Sequence, residues 1–196
     1  MNVCCLDVEG VLLPEIWIAV SKKTGIAELK LTTRDIPDYD ALMKRRIAIL
    51  REHKIRLSQI QRIIAAMKPL SGAKAFLDKL RQSEQVFLLS DTYYEFAMPL
   101  MQKLGQPVLF CNTLEINSKG YITGYVMRQQ NGKEKSVRAL KDLNFTVRAV
   151  GDSYNDITML QSADEGILFN PPPNIIKEFP EFQIAKNYQA LLKILT

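Results

Sequence analysis

The chain has 196 residues, 47% hydrophobic and 24% charged, a composition that supports a globular protein with one sizeable core. No run of about 18 apolar residues occurs, which excludes a helical membrane span, and Met1–Cys5 lacks the basic region of a secretion leader. The net charge is +5, and the segment 14–68 alone holds 12 basic and 6 acidic residues, so the whole positive excess lies there and suits an anionic ligand.

Val3 to Asp7 is an apolar run that ends in an acid, the pattern of a buried parallel strand. From Pro14 to Met67 the spacing is helical almost throughout. Ile16, Ala19 and Val20 form one stripe, Leu42, Ile47 and Leu50 a second, and Ile60, Ile63 and Ile64 a third. Pro14 and Pro69 punctuate the ends of this helical stretch. Then helix and strand alternate. Helices are expected over 73–80, 94–104, 137–143, 154–162, 175–179 and 188–195. Buried strands are expected over 85–90, 108–110, 145–150 and 166–169. The segments 114–117 and 121–127 flank Lys119-Gly120 as a hairpin. This rhythm predicts an α/β protein with a Rossmann-like, doubly wound parallel sheet. Residues 1–13 and 69–196 would build the core, and 14–68 would form a small inserted helical cap.

Cys4 and Cys5 point to opposite faces of a strand and Cys111 stands alone, so buried reduced thiols and a reducing, cytoplasmic setting are expected. Asn144-Phe-Thr is read as a chance sequon. His53, the only histidine, is expected on the surface, and Trp17 and Met43 in the core, although Met43 could line a pocket from the cap side.

Three of the expected strands end in polar groups: Asp7, Ser90-Asp91 and Gly151-Asp152. In an open parallel sheet, ligands bind beyond the carboxyl ends of the strands. Two carboxylates brought together there repel, and a hard divalent cation removes the conflict. Oxygen ligands favour Mg²⁺. With a phosphate oxygen held by the metal, Asp7 can attack phosphorus and form an aspartyl-phosphate. Glu9 lies on the same side of the chain two residues on. It could protonate the leaving alkoxide and then activate water. The Ser90 hydroxyl, backbone amides past the strands and a lysine would supply donors to phosphate.

Asp7-Val-Glu9-Gly10-Val, Leu88-Leu-Ser90-Asp91 and Gly151-Asp152-Ser-Tyr-Asn155-Asp156 together resemble the motifs of the haloacid dehalogenase superfamily, in its phosphoserine phosphatase branch. The longer stretches 7–18, Thr33-Arg-Asp-Ile-Pro37-Asp-Tyr-Asp40 and 89–96, with Glu in place of Asp at position 9, resemble the bifunctional phosphoserine phosphatase/homoserine phosphotransferase group. The resemblance implies Mg²⁺ dependence, L-phosphoserine as a substrate and phosphoryl transfer to homoserine as a second reaction. It implies Asp7, Asp152 and the Glu9 carbonyl as metal ligands. Ser90 and the amide of Asp91 would hold phosphate oxygens, and Asn155 the phosphate or a metal-bound water. Glu15 and Arg46 would hold the substrate's amino and carboxylate groups. The motif lysine is assigned to Lys133, with Lys135 as the alternative, while Asp156 either orients its neighbours or binds metal. Two alternatives stand beside this reading: a different small phosphomonoester, or a non-catalytic polyanion-binding module. Against the module, acids are scattered among the basic residues of 14–68 and few aromatics lie between them, so nucleic acid is not an expected partner. Nothing in the sequence gives the oligomeric state.

Overall fold

The computed structural model describes residues 1–32, 35–36 and 38–196. Thr33, Arg34 and Pro37 of the group-specific stretch therefore lie outside the described residues. Seven strands form one sheet in the order β4-β3-β2-β1-β5-β6-β7. They are β1 (Asn2–Leu6), β2 (Gln85–Tyr93), β3 (Val108–Ile116), β4 (Ile122–Val126), β5 (Thr146–Gly151), β6 (Glu165–Phe169) and β7 (Gln183–Ala185). All neighbours are parallel except β3 and β4, which pair antiparallel.

The two sides of the sheet are both buried, as a doubly wound arrangement requires. Alternate residues of β1 enter different cores: Cys4 and Leu6 pack with the helices of one face, Val3 and Cys5 with those of the other. Both thiols are buried and free; Cys111 is only half-buried.

Before β2 the chain forms α1 (Ile16–Thr24), a 3-10 turn at Ala27–Lys30, α2 (Tyr39–Glu52), α3 (Leu57–Ala66) and α4 (Ala73–Leu80). Asp38 caps α2 by accepting from the amides of Asp40 and Ala41. The helix buries Leu42, Met43, Arg46 and Leu50. Ile47, expected on the buried stripe, is half-buried because Arg46 takes the inward position between Leu42 and Leu50. After β2 come α5 (Tyr94–Lys103), α6 (Gly132–Asp142), a 3-10 turn at Tyr154–Asp156, α7 (Ile157–Ser162), α8 (Pro173–Glu178) and α9 (Tyr188–Leu195).

Several boundaries differ from the sequence reading for physical reasons. β3 is one strand through Cys111-Asn112-Thr113, because the Asn112 side chain is satisfied inside: its Nδ2 donates to the Asp91 carbonyl at 3.1 Å and its Oδ1 accepts from the Arg128 amide at 3.0 Å. β2 continues past Ser90 to Tyr93, with a register shift against β3 that re-aims the chain at its carboxyl end. α6 begins at Gly132, which puts Lys133 and Lys135 on a helix. The helix expected over 154–162 opens as a 3-10 turn, in which Asp156 is occupied with backbone amides. β7, three residues on the sheet edge, has no apolar pattern to announce it.

Strand order reverses at β1: β2 lies on one side, β5 on the other, and successive strands move outward from both. The crevice at such a reversal is where this architecture receives ligands, and β1 delivers Asp7 into it.

Candidate active site

Asp7 is 4% exposed. Its amide donates to the Val150 carbonyl at 2.9 Å, fixing the residue between β1 and β5. Lys133, in the first turn of α6, is equally buried. Its Nζ donates to Oδ1 of Asp7 and Oδ1 of Asp156, both at 2.7 Å, and lies 3.6 Å from Oδ2 of Asp91. The other oxygen of Asp156 accepts from the amides of Asp152 and Ser153, at 3.0 and 3.2 Å. Asp156 therefore ties the β5 loop to the lysine, and it is completely buried. Ligand atoms of Asp7, Asp152 and Asp156 all lie within 4.8 Å of one another, so they could hold a metal ion.

Electrostatics at this cluster are strong. Burial and the Asp156 charge drive the Asp7 carboxyl well above the usual carboxylate range, and Lys133 offsets only part of that. Burial works against the Lys133 charge, but Asp156, Asp7 and Asp91 outweigh it and hold the ammonium well above its ordinary value. Three carboxylates around one buried cation leave an excess of negative charge. A divalent cation at the oxygen cluster fits that excess.

Glu9 turns its carboxylate toward the start of α1, where Oε2 accepts from the Ile16 amide at 2.7 Å. Burial, and then the neighbouring Glu15 carboxylate, push the Glu9 carboxyl up to about 8. A carboxyl protonated near neutral pH is equipped to give a proton to a leaving group.

Asp7, Glu9, Glu15, Arg46, Ser90 and Asn155 share one cavity of about 350 Å³ between the sheet edge and helices α1 and α2. The Ser90 hydroxyl accepts from the Thr92 amide at 3.2 Å. Asn155 donates to Oδ2 of Asp91 at 3.3 Å. Arg46, 6% exposed, donates from Nη2 to the Leu31 carbonyl at 2.6 Å. A wider groove of about 890 Å³ between α2 and β4 lies apart from the carboxylates.

The structure thus gathers Asp7, Glu9, Glu15, Arg46, Ser90, Asp91, Lys133 and Asn155 around this cavity, and Asp152 and Asp156 join through the carboxylate cluster. Lys135 is exposed, Lys141 pairs with Asp164 at 2.8 Å, and His53 is on the surface. Two residues escaped the sequence reading. The Tyr39 hydroxyl meets the Tyr93 hydroxyl at 2.7 Å and donates to the Asp91 carbonyl at 3.3 Å, and Asn112 holds that same carbonyl from the other side. A polar residue inside a strand was a usable signal for Asn112. Tyr39 stands in the stretch that carries the resemblance, but nothing local gave it a role, since its partners lie more than 50 residues away.

A buried strand-end aspartate, a lysine pinned to it and a carboxylate cluster at a strand-order reversal define a phosphoryl-transfer site of the haloacid dehalogenase type. Residues 21–161 match the haloacid dehalogenase-like hydrolase family model, and the chain belongs to that family. It is 56% identical over 191 residues to the phosphoserine phosphatase ThrH of Pseudomonas aeruginosa, covering 97% of this chain and 93% of that one. It is 52% identical over 193 residues to a phosphoserine phosphatase of Pseudomonas syringae pv. tomato, covering 98% and 81%. Its fold matches a phospho-aspartyl intermediate analogue of phosphoserine phosphatase with a TM-score of 0.77 at 20% identity, covering 100% of this chain and 99% of that one. No helix among the described residues is long and apolar enough to cross a membrane.

Proposed function

We propose that the protein is a Mg²⁺-dependent phosphatase that hydrolyses L-phosphoserine through an aspartyl-phosphate on Asp7 and also passes the phosphoryl group to homoserine. One observation supports this most directly: Asp7 is buried against Lys133 at 2.7 Å, at the floor of a cavity that Glu9, Glu15 and Arg46 also line.

In this reading Asp7, Asp152 and the Glu9 carbonyl hold the metal, which when bound neutralises charge on the phosphate and the carboxylates. Lys133, the Ser90 hydroxyl, the Asp91 amide and Asn155 hold phosphate oxygens. Arg46 takes the substrate carboxylate and Glu15 the ammonium. An oxygen of Asp7 attacks phosphorus as the bond to the serine oxygen breaks, and Glu9 gives that oxygen its proton. Glu9, now a carboxylate, takes a proton from water, whose oxygen attacks phosphorus and frees Asp7 and phosphate. Homoserine takes the place of water in the second reaction, its hydroxyl losing the proton to Glu9. Asp156 orients Lys133 and the 152–153 amides, consistent with both of its oxygens being engaged. Segment 14–68 acts as the cap that excludes bulk water while the phosphoryl group is in transit.

Phosphate release from L-phosphoserine with Mg²⁺, with and without homoserine, tests the reading. Release above an Asp7→Asn control is expected, with phosphohomoserine formed when homoserine is present. No release above the control overturns it.

A further inference from the structure

Trp17, the single tryptophan of the chain, takes no part in the chemistry above, yet it lines the cavity and is 9% exposed. The guanidinium of Arg46 lies over its indole ring, with Cζ 4.5 Å from the ring centroid. Phe96 of α5 braces the same ring edge-on, centroids 5.4 Å apart. The ring is thus fixed to the core on one side and carries the α2 cation on the other.

Arg46 is a buried cation with no ion pair among the described residues. Nη2 donates to the Leu31 carbonyl, Nη1 meets only the Met43 thioether at 3.6 Å, and Nε is buried with no acceptor among the described residues. Buried charge is ordinarily paired, because uncompensated burial is expensive. The indole face offers compensation of another kind. Its quadrupole attracts the guanidinium, more strongly where water is absent, and leaves the N–H donors unspent. Arginine's planar fork matches a carboxylate with two parallel hydrogen bonds only when those donors are available and the plane is held.

We infer that Trp17 is a positioning residue that sets substrate specificity: it holds the Arg46 guanidinium in the cavity wall with Nε and Nη1 free of any oxygen acceptor among the described residues, so that phosphomonoesters bearing a carboxylate are selected. This rests on the reading of Arg46 as the partner of the substrate carboxylate. A carboxylate in place of Trp17 would neutralise Arg46 and occupy its fork. An aliphatic side chain would leave the charge uncompensated and the plane free to turn.

The test compares L-phosphoserine with O-phosphoethanolamine, which lacks the carboxylate, in wild type, Trp17→Phe and Trp17→Leu. The kcat/KM ratio of the two esters is expected to fall about tenfold in Trp17→Leu, mainly through KM for phosphoserine, and less in Trp17→Phe, which keeps a smaller π face. An unchanged ratio, or a parallel loss on both esters as a general packing defect would give, overturns the proposal. The lone tryptophan supplies a second readout that needs no turnover. Its emission in metal-free protein is expected to respond to L-serine and not to ethanolamine, and to lose that response in Arg46→Leu. If the wild type hydrolyses neither ester, the phosphatase reading fails, and the fluorescence decides alone: a response that depends on Arg46 sustains the role of Trp17, and none rejects it.

Discussion

Gly10 leaves no room for a side chain beside Asp152: a Cβ at position 10 would lie 2.4 Å from the Asp152 carboxylate. Gly10 also has φ +85°, the left-handed region that glycine occupies without strain. Gly10→Ala is therefore expected to push Asp152 out of the oxygen cluster. Activity should fall by about 100-fold or more, and the Mg²⁺ concentration for half-maximal rate should rise. Stability should fall by only about 1–3 kcal/mol. A Mg²⁺ titration of the rate beside a urea melt separates the two effects.

Lys133 neutralises Asp7 and Asp156 from inside the protein. Lys133→Met keeps much of the chain length and removes the charge. The metal-free variant is expected to lose about 3–5 kcal/mol, the cost of stranding buried carboxylates. Mg²⁺ should restore part of that stability without restoring turnover. Urea unfolding with EDTA and with saturating Mg²⁺ measures both.

The Glu9 carboxyl lies near 8 in the folded protein, against an ordinary value of 4.5. Between those values the unfolded chain has lost this proton and the folded chain keeps it. Glu9 therefore contributes stability below pH 4.5 that is lost as pH rises toward 8, by at most about 1.4 kcal/mol per pH unit. Glu9→Gln in metal-free protein should flatten that slope and make the variant more stable than wild type at pH 7. Melting curves in EDTA from pH 4 to 9 read the difference directly.

Tyr93 is 1% exposed and shares its hydroxyl hydrogen bond with Tyr39 across the junction of α2 and the sheet. Tyr39→Phe strands the Tyr93 hydroxyl and should cost about 1–3 kcal/mol. Adding Tyr93→Phe should recover part of that loss, because the buried hydroxyl then disappears as well. A double-mutant cycle in urea gives the coupling.

Asp7 after β1, Ser90-Asp91 within the last part of β2 and Gly151-Asp152 at the end of β5 were readable because a buried parallel strand is a short apolar run, and an acid that closes the run stands out. The helical character of 14–68 was readable from the spacing of Ile60, Ile63 and Ile64. Arg46, named from the resemblance, also carried a local signal, since a cation four residues from both Leu42 and Leu50 breaks an apolar stripe. Other features were hidden. Asn112 and Tyr39 meet at the Asp91 carbonyl only after β3 and α2 have packed, and no local pattern records such a meeting. Lys133 and Lys135 are alike as a pair in a polar stretch, and only the resemblance favoured Lys133. They separate once α6 begins at Gly132 and one turns inward while the other faces solvent.

β1 is hydrogen-bonded to β2 and β5 along both edges and covered on both faces. Its amides have no route to water short of unfolding the domain, so Cys4, Cys5 and Leu6 should be among the slowest to exchange with deuterium. The nucleophile is thus mounted on a part of the molecule that barely breathes. In the proposed reading, motion that admits substrate and releases product falls to the helices of 14–68, and the attacking oxygen keeps its aim through each opening.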